Sequence, residues 1–109
     1  MAFDEELLYT VSETSRVRFT GIETETSRYD FGFVYTHQFM GKVLVVCMQT
    51  GQSALLDIHA LEEPRQLYPM LGIALRDTDH VAEFLRLCLE ENANEHKPGE
   101  TSNSTLEKM

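Results

Sequence analysis

The sequence has few basic residues and no apolar run long enough to span a membrane. Nine Lys and Arg stand against 18 Asp and Glu, which gives a formal net charge of -9. A surface of that sign repels phosphate backbones, so the composition predicts that the protein binds no nucleic acid. The longest apolar segments, residues 43–48 and 70–75, are far below membrane-spanning length, which predicts no insertion into a membrane.

Cysteine is scarce, and its placement is typical of a reducing compartment. Cys47 and Cys88 lie inside apolar segments without CxxC spacing, as reduced core thiols commonly do. Residues 1–11 hold three acidic residues and no basic one, so they lack the features of a secretory signal. The sequence therefore predicts a cytoplasmic protein.

Short metal-binding and phosphate-binding motifs are absent as well. The four histidines, at positions 37, 59, 80 and 96, form no HxH or HxxxH pair with one another. The six glycines are scattered and match no Walker or dinucleotide spacing. We therefore expect no metal site and no cofactor.

What remains is enough for one small domain. The chain has 109 residues, of which 42% are hydrophobic and 25% charged, as in ordinary globular domains. Residues 92–109 are mostly polar, which predicts a disordered tail after a domain over residues 1–91. Residues 1–91 hold 15 acidic and 7 basic residues, so the negative charge belongs to the domain itself.

The first half of the domain has the two-residue period of strands. Strands are predicted over residues 16–24, 29–37, 43–49 and 53–58, with a turn at residues 39–42 and a tight hairpin at Thr50 and Gly51. In the first strand Ile22 is out of phase with Val17 and Phe19, which predicts a bulge at Gly21. Residues 43–49 are apolar on both faces, so this strand should be central and covered above and below.

The second half has helical periodicity. Residues 66–75 predict a helical turn or packed connector, and residues 78–91 predict the strongest helix, capped by Asp77 or Thr78. The apolar face of that helix comprises Val81, Ala82, Phe84, Leu85, Cys88 and Leu89. The fold class expected is α+β: an antiparallel sheet of four to five strands within residues 15–58, packed by one C-terminal helix.

A short repeat suggests an anion site. Residues 13–16 and 25–28 are both Glu-Thr-Ser-Arg, and each copy precedes a predicted strand. Two strand entrances with similar turn chemistry explain the repeat. Alternatively Arg16, Arg28 and Ser27 lie in loops at one end of the sheet and bind a carboxylate or phosphate together.

Aromatic residues alternate along the second predicted strand. Tyr29, Phe31, Phe33 and Tyr35 share one face. A base-stacking platform would carry basic residues beside such a row, whereas the ionisable neighbours on this strand are Asp30 and His37. We therefore interpret the row as core or as a subunit interface.

One predicted helix can cover only one face of the sheet, so something else must cover the other. Phe3, Leu7, Leu8 and Tyr9 could fold back over it, or a second copy of the chain could pack on the aromatic row. The second alternative predicts a homodimer.

A nucleophilic site would need a Cys or Ser beside a base. Cys47 could meet His59 or His37 across neighbouring strands, with Asp57 orienting the base, but no spacing requires this. A thiol within an apolar strand is more often inert packing. No catalytic residues are therefore predicted.

Four segments carry a resemblance to a known family. They are Thr26-Ser27-Arg28-Tyr29-Asp30-Phe31, Gly41-Lys42-Val43-Leu44-Val45, Gln49-Thr50-Gly51 and Leu61-Glu62-Glu63-Pro64. Over about residues 13–90 the chain resembles a family of small uncharacterised cytosolic proteins from low-GC Gram-positive bacteria, a domain of unknown function. The resemblance implies a single α+β domain and carries over no functional residues.

The sequence does not identify a reaction or a substrate. The function expected is that of a non-enzymatic, homodimeric interaction or regulatory protein with an unidentified protein partner. The alternative is a small-ligand (anion) binder or hydrolase that uses the Arg16 and Arg28 loops or Cys47 with His59.

Overall fold

The computed structural model describes residues 6–95, with side chains described as far as Glu90. Its strands are β1 (Arg16–Glu23), β2 (Arg28–Tyr35), β3 (Val43–Cys47) and β4 (Ser53–Leu56). Its helices are α1 (Leu67–Leu71) and α2 (Thr78–Glu95), and short 3-10 turns connect these elements. The predicted α+β fold is confirmed, with four strands in the sheet.

The four strands form an antiparallel meander in the order β1-β2-β3-β4. Two of the connections contain residues with left-handed backbone. These are Met40 and Gly41 between β2 and β3, and Gly51 between β3 and β4. Strand β3 lies inside the sheet, as its double-sided apolar pattern predicts, but only the side chains on one of its faces are fully covered. The strands β2, β3 and β4 each end two residues earlier than expected.

The predicted bulge at Gly21 is wrong. The pairing of β1 with β2 is continuous from Arg16 opposite Tyr35 to Glu23 opposite Arg28. Ile22 therefore lies on the opposite face from Val17 and Phe19 and packs against the core. A Cβ at Gly21 would lie 2.6 Å from an Asp30 carboxylate oxygen, so glycine makes room for that cross-strand side chain.

The core lies between the inner face of the sheet and the helical half of the chain. The aromatic row of β2 supplies its largest side chains, and Phe31 and Phe33 are fully buried. Five of the six apolar residues predicted for α2 are buried, and the sixth, Phe84, packs on Phe31 with ring centroids 6.0 Å apart. This packing positions the sheet with its other face away from the helices.

Helix α2 is longer than predicted, because it continues past residue 91 to Glu95. Residues 92–95 were predicted to begin the disordered tail, since they contain almost no apolar residue. The segment holds no Gly or Pro, however, and extending an existing helix costs much less free energy than starting a new one. The rest of the predicted tail, residues 96–109, lies outside the described residues. No helix within residues 6–95 is long and apolar enough to cross a membrane.

Candidate functional site

The face of the sheet opposite the helices, here called the outer face, is apolar and exposed. The strand register aligns Val17, Val34, Leu44 and Leu55 as one row across all four strands. In the next row Phe19 lies opposite Gly32, and its side chain is 73% exposed. Neither row contains an ionisable residue, so the centre of the outer face carries no charge.

Gly32 lets two large side chains lie across the outer face. A Cβ at this position would lie 2.9 Å from the terminal methyl of Met48 and 3.2 Å from the ring of Phe19. Both side chains therefore occupy the space that a larger residue on β2 would fill. The result is an aromatic ring and a thioether presented side by side to solvent.

Part of the outer face forms an open groove of ≈ 780 Å³. Its floor is the Val17 row, and its rim is formed by Tyr9, Val11 and Phe39. The polar end of the groove is lined by Glu13, Ser15, Thr36 and Gln38. An exposed apolar concavity of this kind marks a binding surface more often than a plain solvated face.

Glu13 holds the chain entering β1 against the far end of β2. Its carboxylate accepts hydrogen bonds from the Ser15 hydroxyl and, at 3.3 Å, from the backbone N–H of His37. Hydrogen bonds from the hydroxyls of Ser15 and Thr36 lower the pKa of Glu13 below its usual value. These contacts fix one wall of the groove, whereas residues 6–12 are exposed.

The other end of the outer face carries a paired arginine. The Arg28 guanidinium lies 3.0 Å from the Asp30 carboxylate, which also accepts a hydrogen bond of 2.7 Å from the Gln49 side-chain amide. Hydrogen bonds from Arg28 and then from Gln49 lower the pKa of Asp30. Ser27 lies in the preceding turn, where its backbone N–H donates to the Thr24 hydroxyl at 2.9 Å.

The structure does not bring Arg16 and Arg28 together. The antiparallel register places them at opposite ends of the β1–β2 pair, about 24 Å apart at roughly 3.4 Å per residue. They also point to opposite faces, and the Arg16 guanidinium carbon lies 4.4 Å from the centre of the Tyr35 ring on the inner side. One small anion cannot contact both side chains.

The four aromatic residues proposed as an interface are buried by the chain's own helical half. Tyr29 and Tyr35 are each 6% exposed, and the two phenylalanines between them are fully buried. The Tyr29 hydroxyl donates to the buried Asp77 carboxylate at 2.8 Å and accepts from the Ala74 backbone N–H at 3.3 Å. The face of the sheet that stays exposed is therefore the outer face, on the other side of the sheet.

Cys47 and the histidines proposed as its base are also apart. The thiol is fully buried on the inner face, whereas His37 is exposed and the His59 side chain, 86% exposed, lies 3.5 Å from the Glu62 carboxylate. Asp57 caps a 3-10 turn by accepting from the Ala60 backbone N–H at 3.1 Å. Among the described residues no group of three or more His, Cys, Asp or Glu side chains could hold a metal ion.

Sequence reasoning did not single out the outer face as the candidate site. The alternation of residues 29–37 separates Val34 from the aromatic row, and the alternation of residues 43–49 separates Leu44 from Val45. Strand periodicity thus identifies two faces but not which of them the helix covers. Gly32, opposite Phe19, is a sequence signal that could have indicated this site, because a residue without a side chain in β2 leaves room for large neighbours on that face.

Comparison with known proteins gives a family and no curated relative. A search of curated proteins finds no match to the chain. The family model described as SAV0927-like matches residues 8–87, which include all four strands, α1 and most of α2. The match therefore also includes the exposed segment that forms the groove rim at Tyr9 and Val11. This chain belongs to the SAV0927-like family.

Proposed function

We propose that the protein is a non-enzymatic interaction or regulatory protein that works as a homodimer, with the outer face as the dimer interface. The observation that carries the proposal is the uncharged apolar centre of that face, where Phe19 is 73% exposed and Val17 is 45% exposed. Apolar surface removed from water contributes roughly 25 cal/mol per Å² to association. A two-fold dimer uses the same patch on both copies, so a self-complementary apolar face suits it.

The shape of the face supports a partner with a similar surface. Phe19 and Met48 project on either side of Gly32, which has no side chain. The groove lies along the neighbouring row that begins at Val17. A ridge beside a groove allows the ridge of one copy to enter the groove of the other. Interfaces of this kind concentrate their binding energy in a few buried aromatic side chains, which makes Phe19 the main anchor of the proposed dimer.

The proposal includes a cytoplasmic location and an origin in low-GC Gram-positive bacteria. The buried thiol of Cys47, which forms no disulfide, supports the location, since core thiols outside disulfides are usual in reducing compartments. The sequence segments that resemble the family of cytosolic proteins support the origin. The negative net charge supports a partner other than nucleic acid.

Light scattering on a matched pair of variants tests the interface. Phe19→Ser removes the proposed anchor, and Tyr68→Ser removes another aromatic side chain, 54% exposed, from helix α1 on the other side of the molecule. We expect Phe19→Ser to weaken dimerisation by roughly 2 kcal/mol, or about 30-fold in Kd, and Tyr68→Ser to leave it unchanged. Equal dimer affinities in the two variants would contradict the assignment of the interface.

A small-ligand binder is the second candidate, and the groove volume favours it. A concavity of ≈ 780 Å³ falls within the range that accommodates a drug-sized molecule. In that case the chain is a monomer at micromolar concentration and binds one amphiphile, such as a detergent monomer, per chain. Calorimetric titration with such a probe distinguishes the two functions, because a dimer that covers the groove excludes it.

A further inference from the structure

The segment before β1 has the composition of a buried strand but lies exposed. Residues 7–11, here called the arm, read Leu-Leu-Tyr-Thr-Val, and four of the five are apolar. Leu7 is 82% exposed, Leu8 91%, Tyr9 67% and Val11 55%. The described part of the segment expected to fold back over its own sheet thus leaves most of its apolar surface in solvent. Such a surface is unusual in a monomer unless a partner covers it.

The arm starts at the rim of the groove and is long enough to cross it. Its base is held by the hydrogen bonds that Glu13 accepts from the Ser15 hydroxyl and the His37 backbone. From there the five residues of the arm extend for roughly 17 Å at about 3.3 Å per residue. Four strands spaced about 4.8 Å apart span roughly 14 Å from the first to the last, so an extended arm can cross the whole outer face.

The outer face alone is small for a stable interface. Four strands about 6 residues long cover a footprint on the order of 400 Å². A stable complex buries about 800 Å² of accessible surface on each partner, so a sheet with this footprint is small for a dimer interface on its own. The apolar side chains of the arm, which include an aromatic of the size that buries 150–250 Å², supply a large part of the rest.

The position of the arm determines which groove it reaches. When two outer faces pack against each other about a two-fold axis, the rim of each face lies against its partner. An arm that leaves the rim then runs along the partner's groove and fills the gap between the two sheets. On the basis of the proposed homodimer, we propose that residues 7–11 of each protomer occupy the apolar groove of the other protomer in a reciprocal exchange.

Disulfide trapping between two full-length chains tests the exchange. One chain carries Leu8→Cys in the arm and the other Leu44→Cys in the groove floor, with tags of different mass; the native Cys47 and Cys88 are buried and stay in place. Mild oxidation of the mixture should give a reducible heterodimer. The control pair combines Leu44→Cys with Leu87→Cys, an exposed position on α2, and should give much less heterodimer.

A chain carrying both Leu8→Cys and Leu44→Cys decides between the partner's groove and the chain's own. Reciprocal exchange predicts disulfide-linked dimers, whereas an internal disulfide in a chain of monomer mass would overturn the exchange. Light scattering on the unmodified chain separates the two proposals. A dimer that gives no arm-to-groove cross-link contradicts the exchange and leaves the homodimer standing, whereas a monomer contradicts both.

Discussion

Tyr29 and Tyr35 occupy the two ends of the aromatic row, equally buried, but their hydroxyl groups have different surroundings. The Tyr29 hydroxyl donates to Asp77 and accepts from Ala74. The Tyr35 hydroxyl is buried and has no hydrogen bond of normal geometry among the described residues, although the Arg18 guanidinium lies near it. Tyr29 thereby ties the sheet to the turn that precedes α2.

The two phenols give a matched pair of substitutions. Tyr29→Phe leaves the buried Asp77 carboxylate and the Ala74 N–H without this partner, so we expect the free energy of unfolding to fall by about 1–3 kcal/mol. Tyr35→Phe removes a buried hydroxyl without such a partner, so we expect the free energy of unfolding to stay unchanged or to rise by up to about 1–3 kcal/mol. Urea unfolding monitored by circular dichroism measures both. Equal destabilisation by the two substitutions would show that the Tyr29 hydrogen bonds are not what stabilises this end of the row.

The same residue predicts how stability depends on alkaline pH. Burial and then the hydrogen bond to Asp77 raise the pKa of Tyr29 above its usual value near 10. The folded protein therefore holds the phenol proton after the unfolded chain has begun to lose it. This contribution to the free energy of unfolding is complete below pH 10 and decreases as the pH rises through the folded pKa, by up to about 1.4 kcal/mol per pH unit.

Urea unfolding at several pH values between about 8.5 and 11.5 tests this linkage. The difference in stability between the wild type and Tyr29→Phe should be constant below pH 10 and shrink above it. A difference that stays constant across the whole range would contradict the raised pKa of Tyr29.

At the scale of elements, much of the fold could be predicted because most elements have a clear period. The alternation in β2 and the apolar face of α2 predicted those elements, and the glycine-containing turns predicted both connections around β3. The wrong prediction of a bulge at Gly21 shows a limit of this reasoning. The phase change at Ile22 reflects an inner-face residue on a regular strand, and a single sequence cannot reveal the Asp30 side chain that requires Gly21.

Helix α1 depends on a glycine at its end. Gly72 has a left-handed φ of 76° and its N–H donates to the Tyr68 carbonyl at 3.0 Å, which closes the helix. A Cβ there would also lie 2.7 Å from the Gln52 side-chain oxygen and 2.8 Å from the Thr50 methyl group. Gly51 has nearly the same φ, 77°, but no atom lies within 4 Å of its Cβ position.

Substitution of these two glycines separates backbone strain from crowding. Gly51→Ala should cost about 1–2 kcal/mol of unfolding free energy, because alanine is strained in the left-handed conformation. Gly72→Ala should cost more, because the same strain is combined with collisions against Thr50 and Gln52. Chemical denaturation of both variants gives the comparison. If Gly51→Ala proves as costly as Gly72→Ala, the contact between α1 and the β3–β4 turn adds nothing to the requirement for glycine.

At the scale of the whole molecule, the sequence predicted that one sheet face lacks cover but not which one. The aromatic row was proposed as a subunit interface, whereas the chain buries it under its own helix. Which face the helix covers depends on connections that strand periodicity does not describe. The outer-face groove likewise requires residues from β1 to β4 and from the arm, which only the folded sheet brings together.

The charge of the protein predicts how salt affects the proposed dimer. Each copy carries a formal charge of -9, so two copies repel each other over their whole surfaces, while the centre of the outer face is uncharged. Salt screens this repulsion beyond a Debye length of about 10 Å at 0.1 M. We therefore expect the dimer Kd to decrease as sodium chloride rises. Fluorescence anisotropy of a labelled chain titrated with unlabelled chain measures the trend, and a Kd that increases with salt would indicate an interface held by ion pairs instead.

Sedimentation equilibrium of the unmodified full-length chain tests the central claim, a homodimer, most directly. The chain has a mass of 12.5 kDa, so at tens of micromolar and near-physiological salt the account predicts a mass about twice that value, falling towards 12.5 kDa on dilution. A mass of 12.5 kDa throughout the concentration range would contradict the account, because the apolar outer face would then remain in solvent at concentrations where a second copy is available to cover it.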